Sequence, residues 1–183
     1  MYEVEVKAKL RNRQEIMQKL ESLGCKFGEV LHQVDHVYFP EGLIFPPPIG
    51  TSILRVREQN DKYFLTLKIS QSGRQDSIER ELEIKDGKMM MDIIKLLKYQ
   101  EAPTVDKKRI KTKLRDMEIV LDTVEDLGEF MEVEKIVTNE DPEDRKKIQM
   151  ELSDFIENLG VPKEDLLVNN KYDIMLFVKQ NSK

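Results

Sequence analysis

The first ten residues, MYEVEVKAKL, alternate without a break. Glu3, Glu5, Lys7 and Lys9 take one set of positions, and Tyr2, Val4, Val6, Ala8 and Leu10 take the other. A period of two over this length specifies a β-strand with unlike faces. The habit recurs along the chain. Arg55 and Arg57 oppose Leu54 and Val56; Phe64, Thr66 and Lys68 oppose Leu65 and Leu67; Glu79, Glu81 and Glu83 oppose Ile78, Leu82 and Ile84. Further on, Lys107, Arg109 and Lys111 line up; Glu118, Val120 and Asp122 oppose Met117, Ile119 and Leu121; Phe130, Glu132 and Glu134 oppose Met131 and Val133. Such strands share one apolar side and one charged side.

On an open antiparallel sheet the charged side is an ordinary solvated face, and each strand taken singly reads that way. Closing the sheet removes its edges and turns that side into a lumen. Isolated charges inside it would be too costly, but internal ion pairs plus a charged ligand can satisfy a lumen of mixed sign.

Three segments switch to helical period and supply cover for the apolar side. Asn12 with Glu15 has the form of a capping box ahead of Ile16, Met17, Leu20 and Leu23, and Gly24 ends the helix. In DGKMMMDIIKLLKYQ the expected stripe is Met89, Met90, Ile93, Ile94 and Leu97, and the three adjacent methionines read as core filling, not a copper site. Asp141–Pro142 gives an N-cap followed by proline before Ile148, Leu152, Phe155, Ile156 and Leu159. A last short helix is expected in NKYDIMLFVK. Strands are expected at 29–39, 52–59, 62–70, 77–85, 104–114, 117–126 and 128–137, the second and third joined as a hairpin. The Pro-rich 41–50 stretch reads as a stiff loop. Helices fall between groups of strands, which favours a mostly antiparallel α+β fold over a doubly wound one.

The 183 residues suit a single domain spanning 1–183. Charged residues make up 36 %, above the roughly 25 % of an ordinary globular chain. The net charge of −5 argues against a general nucleic-acid binder, although KKRIKTKLR is locally basic. Cys25 is the one cysteine, so no disulfide forms within the chain, and a cytoplasmic protein is the simpler expectation. No signal peptide or apolar run long enough to cross a bilayer is present, so no membrane role is expected. His32 and His36 lie about 13 Å apart along a strand, too far to share one ion, and take surface pairing roles.

Two spacings carry chemistry. Arg-x-Arg on one strand face sets two planar forks side by side, a fit for phosphate oxygens. Glu-x-Glu occurs at 3/5, 81/83 and 132/134, and paired carboxylates make a hard-oxygen site for Mg²⁺ or Mn²⁺. Together they describe a site for a metal–polyphosphate.

On these residues the chain resembles the CYTH, or triphosphate tunnel metalloenzyme, superfamily. The resemblance is carried by Glu3-x-Glu5-x-Lys7 at the N-terminus, Asp35-x-x-Tyr38-Phe39, Leu-Arg55-x-Arg57, Leu-Thr-x-Lys68, Arg80-Glu81-x-Glu83, Lys107-x-Arg109, Asp122, the LGEFMEVE block ending in Glu132 and Glu134, and Lys171-Tyr172 near the C-terminus. It spans nearly the whole chain. The resemblance implies an eight-stranded antiparallel closed β-barrel, a tunnel with helices outside. It implies Glu3, Glu5, Asp122, Glu132 and Glu134 as metal ligands for Mg²⁺ or Mn²⁺. It implies Lys7, Arg55, Arg57, Lys68, Lys107 and Arg109 as catalytic and substrate-binding residues, with Glu81, Glu83 and Tyr172 beside the substrate. The class IV adenylyl cyclase subgroup is nearest, converting ATP to cyclic AMP and pyrophosphate. Two departures stand out: Ile69–Ser70 after Lys68, where cyclase relatives often have Gly-Pro, and Lys171, where serine commonly precedes the tyrosine. The alternative expectations are a triphosphatase acting on tripolyphosphate, thiamine triphosphate or a nucleoside triphosphate, and a non-catalytic nucleotide- or polyphosphate-binding protein. Homodimer formation is left open.

Overall fold

The computed structural model describes residues 1–167 and 170–182. Its elements run β1 (Tyr2–Lys9), α1 (Arg13–Ser22), β2 (Leu31–Pro40), β3 (Ser52–Gln59), β4 (Lys62–Gly73), β5 (Asp76–Ile84), α2 (Gly87–Leu96), β6 (Tyr99–Glu101), β7 (Val105–Leu114), β8 (Met117–Val124), β9 (Gly128–Val137), α3 (Pro142–Asn158), β10 (Leu166–Leu167) and α4 (Tyr172–Asn181). Eight antiparallel strands join in the order β1-β5-β4-β3-β2-β7-β8-β9, and β9 pairs back onto β1. Among the described residues the fold is therefore α+β, with a ring of eight antiparallel strands and four helices. The two short strands β6 and β10 pair on β2 and β1 outside this ring, and three and two residues are too few to leave an alternation in the sequence.

Local chemistry places the turns and ends. Asn60 and Asp61 take φ of 48° and 62°, the left-handed geometry of a tight hairpin turn between β3 and β4. The Asn12 side chain accepts a hydrogen bond from the Glu15 backbone N–H and caps α1. Glu15 turns its carboxylate to Lys19, 2.7 Å away. Asp141 caps α3, with proline in its first turn. β4 runs on to Gly73, three residues past its expected end, through an irregularity between Ser70 and Gly73. β5 pairs with β1 only through Asp76, Ser77 and Ile78, so its second half meets β4 on one edge alone.

The apolar sides of the strands face outward, where helices cover them. Val4, Val6 and Ala8 of β1, Ile119 and Leu121 of β8 and Met131 and Val133 of β9 form one core with Ile16 and Leu20 of α1 and Leu152 and Ile156 of α3. Each aliphatic side chain buried this way stabilises by roughly 1.5–3 kcal/mol. Cys25 is buried in the same core. α2 covers Tyr38 and Val56 with Ile94, Met90 and Met91. This corrects the expected stripe: Met89, Ile93 and Leu97 are exposed. The cause is Gly87, which sits so close on the Tyr63 ring that a Cβ there would clash at 2.1 Å, and this contact sets which side of α2 faces the sheet. α4 differs from the other helices. Its Tyr172 and Leu176 pack with Val105, Val124 and Phe130 at one end of the ring. Phe177 of α4 meets Phe45, and Phe45 meets Phe39, so the Pro-rich loop is tied down at that same end. No helix among the described residues is long and apolar enough to cross a membrane.

Candidate active site

The charged strand faces line a cavity of about 1010 Å³, counting space open to solvent. Of the residues singled out in the sequence, Glu3, Glu5, Lys7, Arg55, Arg57, Lys68, Glu81, Lys107, Arg109, Glu132, Glu134 and Tyr172 line it. Glu83 does not. It lies further along β5, exposed, with its carboxylate 3.1 Å from Lys62. Asp122 is fully buried just behind the wall. Sequence reasoning assigned no role to Asp35, Glu79, Lys111, Glu118 and Asp173, which also line the cavity. The alternation sets Glu79, Lys111 and Glu118 on the charged faces of their strands, without a role for any of them.

One part of the wall is acidic. Glu3 and Glu5 project from β1, and Glu134 is paired with Glu5 across the β1–β9 ladder. Carboxylate oxygens of these three lie within 4.8 Å of one another. Glu118 of β8 is paired with Glu134 on the other side and bonds Lys111 at 2.6 Å. Burial, then Glu3 and Glu5, push the Glu134 carboxyl up to about 8. Glu3 is also raised, by burial first, against the pull of Lys68. Like charges held together in this way call for a cation. Three hard oxygens at one point suit Mg²⁺ or Mn²⁺, so the residues present fit a divalent metal. Glu132 and Asp122, the other two expected ligands, are not brought into this group.

They belong instead to a paired network. Lys7 pairs with Glu132, directly opposite across the same ladder. Arg109 donates to Glu132 at 2.8 Å and forks onto Asp122 at 2.7 and 2.5 Å. The Tyr172 hydroxyl donates to Asp122 at 3.0 Å, and the Lys7 ammonium lies 4.2 Å from the centre of its ring. Burial works against the charged form of Glu132, but Arg109 and Lys7 outweigh it and hold the carboxyl well below its ordinary range.

Asp35 organises a second network. It accepts both arms of Arg57 at 2.6 and 3.0 Å and the Lys107 ammonium at 2.7 Å. Its carboxyl is held well below normal, because Lys107 and Arg57 overcome the cost of burial. Lys107 itself is drawn down to about 8, chiefly by burial and then by Arg109 and Arg57, with Asp35 opposing. Beside it, Arg55 donates to Thr66, Glu79 and Glu81 at 3.1–3.2 Å through one nitrogen. Lys68 lies 2.6 Å from Glu3 and 2.9 Å from Glu79. Lys171, at the α4 N-cap, also lines the cavity, and burial followed by Lys68 draws it down to about 8. His32 and His36 are outside all this, paired with Asp106 at 2.8 Å and Glu101 at 3.2 Å.

Known proteins resemble this chain in sequence and in fold. A Methanocaldococcus jannaschii protein, named as a candidate adenylate cyclase, is 30% identical over 169 residues, covering 91% of this chain and 94% of its own. The structure of the PH1012 protein of Pyrococcus horikoshii is 32% identical, with a TM-score of 0.75 over 93% of this chain and 97% of its own. A candidate adenylyl cyclase of Hippeastrum, described as revealing a dominant triphosphatase activity, shares the fold at 16% identity, with a TM-score of 0.56 over 100% of this chain and 97% of its own. The CYTH domain matches residues 1–169, which take in the whole ring and α1 to α3. The chain belongs to the CYTH family.

Proposed function

We propose that this protein is a divalent-metal-dependent enzyme that binds a triphosphate inside the ring, and that its reaction is the cyclisation of ATP to cyclic AMP and pyrophosphate. The observation that carries the metal–triphosphate reading is the convergence of Glu3, Glu5 and Glu134 within 4.8 Å, facing a wall of lysines and arginines. Those three carboxylates hold the cation. When bound, Mg²⁺ or Mn²⁺ neutralises phosphate oxygens and makes phosphorus more electrophilic.

The protein's own groups do the rest. Arg55 and Lys68, with side chains 20% and 15% exposed, are more open than Lys7, Arg57, Lys107 and Arg109 and meet the phosphate chain before them. Lys7, Arg57, Lys107 and Arg109 sit deeper, pre-aimed by Glu132, Asp35 and Asp122. Charge developing on a leaving phosphate is met by donors already in place, which is where such sites gain most of their rate. Tyr172 and Asp122 fix Arg109 from behind.

The cyclase reading is supported by the 30% identical relative, named as a candidate adenylate cyclase. A second reading, triphosphate hydrolysis, has an observation of its own. Of the 22 described residues lining the cavity, only Val37, Ile53, Val105 and Tyr172 are apolar or aromatic. Base-binding pockets are predominantly apolar, so this wall recognises the phosphate chain more than a purine. The Hippeastrum neighbour, described with a dominant triphosphatase activity, is consistent with that alternative. A cytoplasmic location belongs to the same proposal, since cellular nucleoside triphosphates are there. The deciding experiment incubates the protein with ATP, tripolyphosphate and thiamine triphosphate, each with Mg²⁺ or Mn²⁺, and identifies the products. Cyclic AMP is the expected product; inorganic phosphate without cyclic AMP transfers the proposal to hydrolysis, and tight binding without any product reduces it to a binding protein.

A further inference from the structure

Lys68 stands where the acidic part of the wall meets the basic part. It projects from β4, paired in register with Glu79 of β5. Its ammonium is 2.6 Å from Glu3 and 2.9 Å from Glu79. Glu3 is also one of the three carboxylates that converge. The place that suits a divalent cation is thus already served by a tethered monovalent one. The three side chains are only 12–17% exposed, so water screens this competition weakly. The two neighbouring cations differ in freedom. Arg55 is held by Thr66, Glu79 and Glu81, while Lys68 is a point charge on a flexible stem with two carboxylates to choose from.

We infer that Lys68 is a displaceable counter-ion of the metal site: it neutralises Glu3 until a divalent cation arrives, then moves to Glu79 and the phosphate chain. The inference rests on the metal–triphosphate reading above. It sets an order, because in a metal-free tunnel the triphosphate finds this ammonium committed to Glu3. It also couples the two ligands. A bound divalent cation would favour the triphosphate by its charge, and Lys68, once released, would add a further contact. Reciprocity requires that triphosphate, by drawing Lys68 away, strengthens metal binding by the same factor.

The test needs neither turnover nor triphosphate. Mn²⁺ alone is titrated calorimetrically into the wild-type protein, Lys68→Met, Glu79→Gln and the double variant, each first checked for a cooperative melt. Lys68→Met keeps the stem and removes the competitor, and Mn²⁺ is expected to bind about five- to tenfold tighter. Glu79→Gln leaves the ammonium with Glu3 as its remaining ion-pair partner, and Mn²⁺ is expected to bind more weakly. In the Lys68→Met background the same Glu79→Gln change loses most of that effect. A lysine with a merely structural role gives the opposite sign for Lys68→Met. Equal or weaker Mn²⁺ binding by Lys68→Met, or by Lys68→Gln should the methionine variant not fold, overturns the inference while the metal site stands. No Mn²⁺ binding by the wild-type protein overturns both the inference and the proposed function.

Discussion

The acidic cluster and the Arg109 network meet on β9, which contributes Glu134 to one and Glu132 to the other. They solve the problem of buried charge in opposite ways. Around Arg109, each carboxylate has a cation or hydroxyl at hydrogen-bonding distance, and the carboxyl of Glu132 is held far below its usual range. Around Glu134 the nearest charges are other carboxylates, and its carboxyl is driven up to about 8. A network complete in itself serves to aim donors. A cluster with charge left over serves to receive something. The difference separates two glutamates only two residues apart on one strand.

The sharpest way to break this comparison is to neutralise one carboxylate on each side. Glu5→Gln is expected to cut turnover by about 10²–10³, the usual cost of one electrostatic partner at a reacting centre. It should weaken Mn²⁺ binding in a titration and leave the melting temperature close to that of the wild type. If turnover survives, the acidic cluster is not the receiving half. Glu132→Gln or Asp122→Asn should show the reverse emphasis. Either change leaves the buried Arg109 with one carboxylate in place of two, and Glu132→Gln also takes the ion-pair partner of Lys7, so chemical denaturation should report a loss of up to about 3–5 kcal/mol.

Acidity sharpens the comparison further. The Glu134 carboxyl has its folded value raised from the usual 4.5 to about 8, so the fold favours its protonated form. Its contribution to stability is therefore greatest at low pH and is lost as pH rises from about 4.5 through about 8. Without metal, melting temperature should decline across that window, and Glu134→Gln should flatten the decline. Mn²⁺ needs the ionised carboxylate, so its affinity should rise over the same window with release of a proton. A metal affinity independent of pH there would contradict the placement of Glu134 in the cluster. The smallest effect belongs to Glu83. Its pair with Lys62 is exposed, and Glu83→Ala should shift stability by less than about 0.5 kcal/mol and leave turnover unchanged.

The sequence made the wall legible because a period of two survives any packing. Glu3, Glu5, Lys7, Arg55, Arg57, Lys107 and Arg109 face the cavity for the same reason that Val4, Val6 and Val56 do not. It could not say which like-looking carboxylates would be partnered. Glu132 and Glu134 are equivalent by alternation, and only the register places Lys7 opposite one and Glu5 opposite the other. Asp35 escaped because its strand carries polar residues on both faces: His32 and His36 alternate with Gln33 and Asp35, and no apolar side marks the inward one. Glu83 was drawn in by the resemblance at Arg80-Glu81-x-Glu83 and by an alternation that has no information about where a lumen stops. The face of α2 failed for a comparable reason, since apolar residues encircle that helix and contact with Tyr63 chose among them.

The second half of β5 has a consequence for how this protein behaves in a crowded solution. Beyond Ile78 its outer edge has no strand partner from β1, and a bare edge is a template on which other chains can stack into fibrils. Glu81 and Glu83 are exposed there. Two copies meeting edge to edge in antiparallel fashion, centred on Leu82, would set Glu81 against Glu83 twice over, and centred on Glu81 would set Glu81 against itself. The same acidic spacing that lines the wall further up the strand keeps neighbouring molecules apart lower down.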